Sequence, residues 1–488
     1  MASLREILIP SDVIKAAFEV SKEAKQEVFL VGGTVRDLLM KSMLGNDFDF
    51  VVEGNGITFA KLFAYKINGS FFVLDEERDT ARVVSKKGFQ ADFSGVRGSI
   101  DEDLRSRDFT INSMAIPLDF IFESQVSMIL DPLDGKNDIG SKLLRASSQN
   151  SIQEDPLRIM RAFRFSSSLD FVIDEGLSNQ IKKHCEDLNR VSEERVRAEL
   201  FMILEMSAAY KTLKGMDEAG VLKSLFPEVE KWKGFYQGGW HIHDLFDHSM
   251  KAVDTSEEVL SHLNSYFPKH GKEIDDYMAE EIEAYVTRRG LVKFAALLHD
   301  SGKFYTRVME DGRGRFLGHE GVGEGITADI SKGLKIGRRP EMILRGLTAN
   351  HMRVLALSKL KKVTKRAKYR FFRDAEGFNL DLLLLSLADA MATPIEGERF
   401  EELKRLVQGL ADYYFDEFIT VPPAPLLTGE DIMKLFGIPQ GKRVGDMLEI
   451  LREAEIMARV SNKREAVNYL KKVVVGQWPE EVTSKNDN

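Results

Sequence analysis

The sequence predicts an α+β fold, with a head of mixed sheet and helices followed by helical domains. Residues before about position 150 alternate short β-rich runs, such as EVFLVGG and FDFVVEG, with helical segments such as GTVRDLLMKSML. From about Gln153 onward, apolar residues recur at the three- and four-residue spacing of amphipathic helices, as in SEERVRAELFMILEM. The strand signals are therefore confined to the first third of the chain.

Composition indicates an ordinary globular protein of several domains. The 488 residues are too many for one hydrophobic core, so two to four domains are expected. The chain is 43% hydrophobic and 30% charged, and its net charge of −9 means that any affinity for nucleic acid must come from a local basic patch. A single cysteine, Cys185, excludes an internal disulfide framework. No membrane span or signal peptide is recognisable, so we expect a cytoplasmic protein that does not enter a membrane.

Changes of composition divide the chain into four expected domains. Aromatic, proline and glycine residues cluster in FPEVEKWKGFYQGGW, and a second break lies at VPPAPLLTGEDIMKLFGIPQGKRVG. Eight of the nine histidines fall between these two breaks. The expected domains are a head (1–150), a helical neck (151–232), a histidine-rich helical domain (233–415) and a helical tail (416–488).

The first strand and helix of the head form a candidate phosphate site. In VFLVGGTVRD an apolar strand ends at Gly32 and Gly33, and we expect a helix to begin near Val35. Backbone N–H groups at such a turn, together with the positive end of a helix, bind phosphate oxygens.

The next strand, DFDFVV, presents two acids. Alternate residues of a strand point to one side, so Asp47 and Asp49 project together while Phe48 and Phe50 face the core. Adjacent like charges favour a bound cation, and Mg²⁺ binds through one or two carboxylates plus substrate phosphates. A bare D-x-D at a strand end also occurs by chance. Asp92, on a later strand, is a candidate third acid.

Two further segments carry charged residues suited to a nucleotide. In RDFTIN, Arg107 is expected near phosphates, with Asp108 available to orient it. In EDPLRIMRAFRF, Asp155 and Arg158 are spaced i,i+3, which gives either an ordinary surface ion pair or a donor–acceptor pair for the edge of a base. The three arginines of this segment form a slowly rotating basic stripe.

The ordered motifs GGTVRD, DFD, RDFTIN, DPLDGKNDI and EDPLRIMRAFRF resemble those of the class II tRNA nucleotidyltransferase and bacterial poly(A) polymerase family. The resemblance covers about the first 230 residues. It implies a polymerase-β-like head, a helical neck, and a body and tail that hold tRNA, with CTP or ATP as second substrate. It makes Asp47 and Asp49 the catalytic, Mg²⁺-binding acids. The implied nucleotide-binding residues are Gly32, Gly33, Arg36, Asp37, Arg107, Asp108, Asn112, Asp155, Arg158, Arg161 and Arg164.

Two departures from the family pattern bear on specificity. The family usually has RRDFTIN, and here Ser106 replaces the first arginine. Only FSGVRGSIDE separates Asp92 from Asp103, where relatives that add both C and A carry a loop longer by a dozen or more residues. Without this longer loop, the base pocket would have no moving segment to change its selectivity from C to A. We therefore expect addition of two cytidines.

The histidine-rich domain resembles the HD phosphohydrolase superfamily through LLHDSGK and its companion motifs. The resemblance makes His248, His299, Asp300 and Asp389 ligands of a divalent metal, with His319 and His351 as extra ligands or phosphate contacts. Such ligands suit Mn²⁺, Ni²⁺, Mg²⁺ or Fe. The site is either structural or a metal-dependent phosphohydrolase. His184 and His262 are expected to be ordinary surface or core residues, and His241 and His243 are ambiguous.

The leading hypothesis is a template-independent nucleotidyltransferase that adds cytidines from CTP to tRNA 3′ ends and releases pyrophosphate. A full CCA-adding enzyme, an A-adding enzyme and a poly(A) polymerase are alternatives of the same fold. A phosphohydrolase whose head only binds RNA is the alternative of another class. The basic segment KLKKVTKRAKYRFFR is either a tRNA-binding patch or a solvated helix face. The oligomeric state stays open.

Overall fold

The computed structural model describes residues 8, 11–40, 45–122, 129–236, 243–310, 313–393, 397–420 and 425–477. It consists of two compact units, residues 1–230 and 231–488. The division between them falls within the segment FPEVEKWKGFYQGGW. No helix in the described ranges is both long and apolar enough to span a bilayer.

The first unit is built on a six-stranded mixed sheet in the order β3-β4-β5-β2-β1-β6. Strands β2 and β5 are parallel, and the other neighbours in the sheet are antiparallel. The strands are β1 (Val28–Val31), β2 (Asp47–Val52), β3 (Ser70–Asp75), β4 (Thr80–Val84), β5 (Gln90–Gly95) and β6 (Ala115–Pro117). This arrangement confirms the predicted mixed sheet.

Side chains of β2 alternate as predicted between the core and the open face of the sheet. Phe48 and Phe50 are buried, whereas Asp47 and Asp49 are exposed on the other side. Phe50 stacks on Phe93 of β5 with ring centroids 4.9 Å apart. Because each buried phenylalanine contributes about 1.5–3 kcal/mol, the aromatic residues fix the register that presents the two acids together.

The helices of the first unit cover the sheet and then form the neck. They are α1 (Asp12–Ala24), α2 (Gly32–Leu39), α3 (Gly56–Ile67), α4 (Ile100–Arg105), α5 (Leu118–Phe122), α6 (Gly135–Gly140), α7 (Ser151–Glu154), α8 (Arg158–Leu169), α9 (Glu175–His184), α10 (Glu193–Glu205), α11 (Ala209–Glu218) and α12 (Val221–Leu225). A small parallel pair, β7 (Leu143–Leu144) and β8 (Val172–Ile173), also belongs to this unit.

The expected start of α2 near Val35 is wrong, because the helix begins at Gly32. Gly32 has a φ of +66°, which an L-residue adopts only with strain, and it follows directly on Val31, the last residue of β1. The glycine makes the whole turn from strand to helix, so no separate loop is needed.

The second unit is helical, as predicted. Its helices are α13 (Leu245–Ser261), α14 (Leu263–Tyr266), α15 (Gly271–Met278), α16 (Arg288–Leu298), α17 (Lys303–Thr306), α18 (His319–Gly333), α19 (Arg338–Asn350), α20 (Arg353–Ser358), α21 (Lys365–Asp374), α22 (Asn379–Ala392), α23 (Glu398–Tyr413), α24 (Gly429–Phe436), α25 (Lys442–Ile456) and α26 (Lys463–Gln477). Two hairpins join them: β9 (Glu281–Glu283) with β10 (Val286–Thr287), and β11 (Val308–Glu310) with β12 (Arg313–Arg315). Helices α13, α16 and α22 pack against one another, and α24–α26 enclose a separate apolar cluster.

The basic segment around α21 is largely engaged within the protein. Arg366 and Arg370 both bind Glu453 of α25, and Arg373 binds Glu449 at 2.6 Å. These ion pairs join α21 to the C-terminal helices. The arginines of this segment are therefore positioned as structural contacts, and the carboxylates that pair with them lie too far along the chain to be recognised from the local sequence.

Candidate active site and metal centre

Three carboxylates meet on the open face of the sheet. Strands β2 and β5 are neighbours, and their register places Asp49 opposite Asp92. Asp92 is not a free acid, because its two oxygens accept hydrogen bonds from Nε and Nη2 of Arg82 on β4, each at 2.8 Å. Asp47 and Asp49 are thus the acids of this row that a cation can reach without breaking the Arg82 pair.

Electrostatics at Asp49 favour a positive ligand. Asp49 keeps solvent-accessible surface, but protein atoms crowded around its carboxyl remove part of its hydration and raise its pKa; the charges of Asp92 and Asp47 raise this pKa further, while Arg107 opposes the rise. A group whose charge is destabilised in this way gains from a divalent cation placed between the carboxylates. The donor set therefore fits the oxygen ligands that Mg²⁺ prefers.

Gly32 allows Arg107 to lie beside Asp49. A Cβ added to Gly32 would lie 3.1 Å from Nη1 of Arg107 and 3.3 Å from Oδ2 of Asp49, both closer than ordinary van der Waals contact. The turn of α2, the Arg107 guanidinium and the Asp49 carboxylate therefore lie close together. The predicted glycine turn therefore lies next to the acid pair, although the Gly32 N–H donates to the carbonyl oxygen of Met114 at 3.3 Å.

The predicted pairing of Asp108 with Arg107 is wrong. Arg107 instead binds Asp103, one helical turn earlier, at 3.2–3.3 Å. Asp108 accepts hydrogen bonds from Nη2 and Nε of Arg161 at 2.6 and 2.9 Å, and from Nδ2 of Asn112 at 3.0 Å. Asp108 thus faces Arg161 of the neck helix α8, while Arg107 lies beside Asp103 and the turn at Gly32.

A chain of hydrogen bonds continues from Asp108 into the glycine-turn helix. Asn112 donates to Asp108, and its Oδ1 accepts from Nη1 of Arg36 at 2.8 Å. Arg36 also donates to Asp37 at 2.8 Å. Burial alone would raise the pKa of Asp108, but Arg161, Asn112 and the Phe109 N–H hold it below its usual value. The four motif residues Arg36, Asp37, Asp108 and Asn112 therefore form one connected network.

Two arginines of the predicted basic stripe of α8 pair with a buried acid from α10. Glu199 binds Arg164 at 2.6 Å and Arg161 at 3.7 Å. The guanidinium groups of Arg36, Arg161 and Arg164 all lie within 5.3 Å of the centre of the Phe165 ring. Three arginines are thus balanced by three acids and surround one aromatic ring, an arrangement that fixes their orientation.

Asp155 and Arg158 do not bind each other through their side chains, contrary to the predicted pair. Asp155 has extended backbone (φ −143°) between α7 and α8, so helical i,i+3 geometry does not apply to its side chain. Its Oδ2 accepts from Nη2 of Arg195 at 2.8 Å. Arg158 donates to the carbonyl oxygen of Ser106 and to Oγ of Ser151, each at 2.8 Å. The residue that replaces the family's first arginine thus contacts Arg158 through its backbone.

The second unit brings together the predicted metal-ligand residues. His248 of α13 lies with Nε2 3.2 Å from Asp389 of α22 and 3.3 Å from Asp300. His299, at the end of α16, has Nε2 3.2 Å from Asp300 and 3.4 Å from Asp389. These four residues form a group able to hold one metal ion.

A second ligand group shares Asp300. Nε2 of His319 and Nε2 of His351 each lie 3.4 Å from Oδ1 of Asp300, which has no hydrogen-bond partner, and 3.2 Å from each other. Nδ1 of each of these histidines is 2.7–2.8 Å from a backbone carbonyl oxygen, so Nδ1 carries a proton. Two facing Nε2 atoms beside a carboxylate require a cation or a shared proton between them, so this group fits a metal ion.

Charges in the metal-ligand cluster are strongly coupled. Burial by itself would lower the pKa of His299, but Asp300 and Asp389 raise this pKa to about 10. Burial would raise the pKa of Asp300, but Lys303 and His299 hold it well below its usual value. Nζ of Lys303 lies 2.6 Å from Asp300. A proton on the His299 ring therefore occupies the space between histidine and carboxylate that a metal ion would take. Protonation and metal binding compete for this position.

The remaining histidines lie outside these groups or outside the described residues. His184 contacts Asp187, and the exposed His262 contacts the carbonyl oxygen of Glu258. His243 is not in either ligand group, and His241 lies outside the described residues.

Sequence reasoning did not identify four residues that complete the two sites. Arg82, Arg195 and Glu199 pair with acids or arginines of the motifs, and Lys303 pairs with Asp300. Of these, Lys303 had a recognisable signal as the last residue of LLHDSGK. The others occupy positions whose partners are set by the docking of strands and helices.

Comparison with known families agrees with this geometry. Residues 28–97 and 89–145 match the Poly A polymerase head domain, 170–233 match the family described as "Probable RNA and SrmB- binding site of polymerase A", and 245–393 match the HD domain. The chain is 31% identical over 467 residues to an A-adding tRNA nucleotidyltransferase of Deinococcus radiodurans, covering 93% of this chain and 95% of that protein. It is 32% identical to a CC-adding tRNA nucleotidyltransferase of Geobacter sulfurreducens, covering 91% of each.

Solved structures share the fold. A CCA-adding enzyme in an apo form aligns with a TM-score of 0.63 at 23% identity, covering 94% of this chain and 93% of that one. The Thermotoga maritima CCA-adding enzyme complexed with tRNA aligns with a TM-score of 0.57 at 22% identity, covering 95% of each chain. Together with the matched domains and the two curated relatives, these similarities show that the chain is an enzyme of the tRNA nucleotidyltransferase and poly(A) polymerase family with an HD domain.

Proposed function

We propose that this enzyme adds two cytidines from CTP to the 3′ end of tRNA without a nucleic-acid template and releases pyrophosphate. In the reaction, the 3′-oxygen of the tRNA bonds to the α-phosphorus of CTP, the bond from that phosphorus to the bridging oxygen breaks, and the hydroxyl proton leaves. Addition of cytidine, rather than of adenosine as well, rests on the short connection between β5 and α4.

The acid row supports this chemistry. Asp47 and Asp49 are the residues that would hold Mg²⁺, which when bound neutralises the phosphates and activates the hydroxyl. Arg107, beside Asp49, is placed to contact the triphosphate, and the Gly33 N–H at the start of α2 is a further donor, since that of Gly32 donates to the carbonyl oxygen of Met114. Arg82 holds Asp92 in place beside the pair through an ion pair at 2.8 Å.

Base recognition is assigned to Asp155, which lies between α7 and α8, and to Arg158, the first residue of α8. A cytosine presents an exocyclic amine that donates and a ring nitrogen that accepts, so a carboxylate and a guanidinium side by side can read both. Asp155 and Arg158 supply these groups. Asp155 and Arg158 are not bonded to each other: Asp155 forms an ion pair with Arg195, and Arg158 donates to Ser106 and Ser151, so each side chain has its own support when it contacts a base.

The connection between β5 and α4 is short and anchored. Residues 96–99 join the two elements, and the Val96 N–H donates to the carbonyl oxygen of Val52 at 3.0 Å. Ser99 and Glu102 cap the start of α4 reciprocally. Because this segment is short and held at both ends, it cannot move to reshape the base site for ATP. This supports CC addition.

Extension of a tRNA transcript that lacks its CCA end tests this proposal directly. The enzyme is incubated with Mg²⁺ and CTP, ATP or both, and products are resolved at single-nucleotide resolution. We expect two additions with CTP and no further addition with ATP. Three additions would refute the CC assignment, and a long adenosine ladder would indicate a poly(A) polymerase. Asp49→Asn should abolish extension, whereas Asp75→Asn, which changes an acid on the edge strand β3, should not.

A second candidate activity is favoured by the paired ligand groups of the HD domain. Asp300 belongs to both groups, and a cavity of about 150 Å³ opens beside it, lined by Asp300, Lys303, His351 and Asp389 among others. Such a cavity can admit a phosphate group next to two cations, and Lys303 adds a positive charge. Metal-dependent hydrolysis of a phosphate ester is the chemistry that this arrangement supports.

This second activity is separable from the first. Hydrolysis of p-nitrophenyl phosphate and of 2′,3′-cyclic nucleotides is measured with Mn²⁺, Ni²⁺ or Mg²⁺. His299→Ala should abolish hydrolysis and leave cytidine addition intact, whereas Asp49→Asn should do the reverse. Wild-type protein that binds metal but hydrolyses none of these esters would indicate a structural metal site.

A further inference from the structure

Helix α10 presents two charged side chains to the base-reading segment. Arg195 and Glu199 are spaced i,i+4 and so lie on one face of this helix. Arg195 donates to Oδ2 of Asp155 at 2.8 Å, and Glu199 binds Arg164 at 2.6 Å. One helix therefore contacts both the acid and an arginine of the segment EDPLRIMRAFRF, although neither residue belongs to that segment.

Asp155 is held from two sides. Besides the bond from Arg195, its Oδ1 accepts from the Leu157 N–H at 3.2 Å. The two donors reach different oxygens, so together they restrict rotation of the carboxylate about its χ2 angle. A carboxylate offers about four lone-pair positions, so two remain for a ligand. The side chain of Asp155 is 31% exposed, which leaves it accessible to one.

The Arg195–Asp155 pair contributes little to stability by itself. The Arg195 side chain is 48% exposed, and ion pairs in such positions add little to the free energy of unfolding. Glu199, by contrast, is 5% exposed and serves two arginines, so it is a structural contact of the neck. Arg195 is half-exposed and restrains the carboxylate that is assigned to the base. Its role is therefore better explained by orientation of the Asp155 carboxylate than by packing of the neck.

We propose that Arg195 is a positioning residue that sets base selectivity by holding the Asp155 carboxylate toward the exocyclic amine of cytosine. This inference rests on the proposed function, since it deepens the role of Asp155 there. Uracil carries a carbonyl oxygen where cytosine carries the amine, and a fixed carboxylate repels that oxygen. A carboxylate that rotates freely can turn away from the oxygen, so discrimination against UTP depends on the restraint.

The test compares CTP with UTP for five variants in the full-length enzyme. Arg195→Met removes the donor and keeps much of the side-chain length, and Arg195→Lys keeps the charge. Arg190→Met is the matched control, because Arg190 is 72% exposed and pairs with Asp187 away from the site. Asp155→Asn and the Asp155→Asn/Arg195→Met double variant show whether Arg195 acts through Asp155. Steady-state kcat and KM for addition, and equilibrium binding of CTP and UTP, are measured for each.

Arg195→Met is expected to raise KM for CTP with a smaller effect on kcat, and to lower the CTP/UTP ratio of kcat/KM by about 10–100-fold. Arg195→Lys should restore part of the ratio, and Arg190→Met should match wild type. The double variant should be no worse than Asp155→Asn alone. Melting temperatures of Arg195→Met and wild type should agree within about 2 °C.

Three results would overturn the inference: a CTP/UTP ratio in Arg195→Met equal to that of Arg190→Met, a further loss in the double variant beyond that of Asp155→Asn, or a lower melting temperature that accounts for the lost activity. Failure of the proposed function is recognised separately, as absence of tRNA extension by the wild-type enzyme. If the wild-type enzyme does not extend tRNA, the ratio of its dissociation constants for CTP and UTP, compared with that of Arg195→Met, still tests the role of Arg195.

Discussion

Replacing Gly32 by alanine should damage the acid site through the backbone and through direct contact. Gly32 has φ +66°, a conformation that costs an L-residue about 1–2 kcal/mol. The new Cβ would also lie 3.1 Å from Arg107 and 3.3 Å from Asp49, so both side chains must move by a few tenths of an ångström. Displacements of about 1 Å at a reacting centre cost about 100-fold in rate, so we expect a 10–100-fold loss of cytidine addition.

Gly33→Ala provides the matched control on the next residue. The added Cβ would meet its nearest neighbour, Nη2 of Arg36, at 3.5 Å, which is ordinary contact, and the backbone is not left-handed. Restricting the unfolded chain should stabilise this variant by about 0.4–1 kcal/mol. The two alanine variants should therefore change the free energy of unfolding in opposite directions.

The assay combines single-turnover extension with CTP and chemical unfolding monitored by circular dichroism. Gly32→Ala should be slower by the stated factor even at saturating CTP and less stable by at least about 1 kcal/mol. A Gly32→Ala enzyme with wild-type rate would refute the claim that Arg107 and Asp49 need this close approach. Equal losses in Gly33→Ala would show that the cause is a general intolerance of side chains at the turn.

Three further predictions concern the buried network, the tail and the metal centre. Asp108→Asn breaks the pair with Arg161 and should destabilise the enzyme at pH 7 by about 3 kcal/mol in urea unfolding. Because the pKa of Asp108 is lowered on folding, its stabilisation is present above the unfolded pKa and is lost as pH falls through the lower folded value. Wild type should therefore lose stability below about pH 4, and the variant should lose less; identical profiles would refute this. Glu453→Gln leaves two arginines of α21 without a carboxylate and should lower the stability of the second unit by about 2 kcal/mol, read by calorimetry; an unchanged transition would contradict the structural role of these pairs. His319→Ala should reduce bound Mn²⁺, counted by mass spectrometry, by one ion per chain, with His262→Ala unchanged; equal metal content would argue against a second ion in the HD domain.

The sequence was sufficient to predict strands and helices, because their formation depends on residues that are close together in the chain. The alternation in DFDFVV has the two-residue period of a strand, so the separation of Asp47 and Asp49 from Phe48 and Phe50 follows from the chain itself. Helical periodicity likewise predicted the neck and the second unit. The start of α2 was misplaced because a single glycine with positive φ can replace a loop, and only the backbone conformation shows this.

Partner choice among charged residues could not be read from spacing. Asp108 was expected to serve its neighbour Arg107, but it binds Arg161, which is 53 positions away. The i,i+3 pair of Asp155 and Arg158 assumed a continuous helix, whereas the chain is extended at Asp155. In both cases the local argument failed because a side-chain direction depends on backbone conformation and on what is docked against it.

The sequence by itself determined the class of fold, the strand that presents two acids, and the set of histidines and aspartates in the second unit. Tertiary structure alone decided that Asp92 is neutralised by Arg82, that Glu199 balances the arginines of α8, and that Asp300 is shared by two ligand groups. Strand and helix formation depend on neighbours within a few residues. Charge compensation depends on register and helix docking, which bring together residues that the sequence separates.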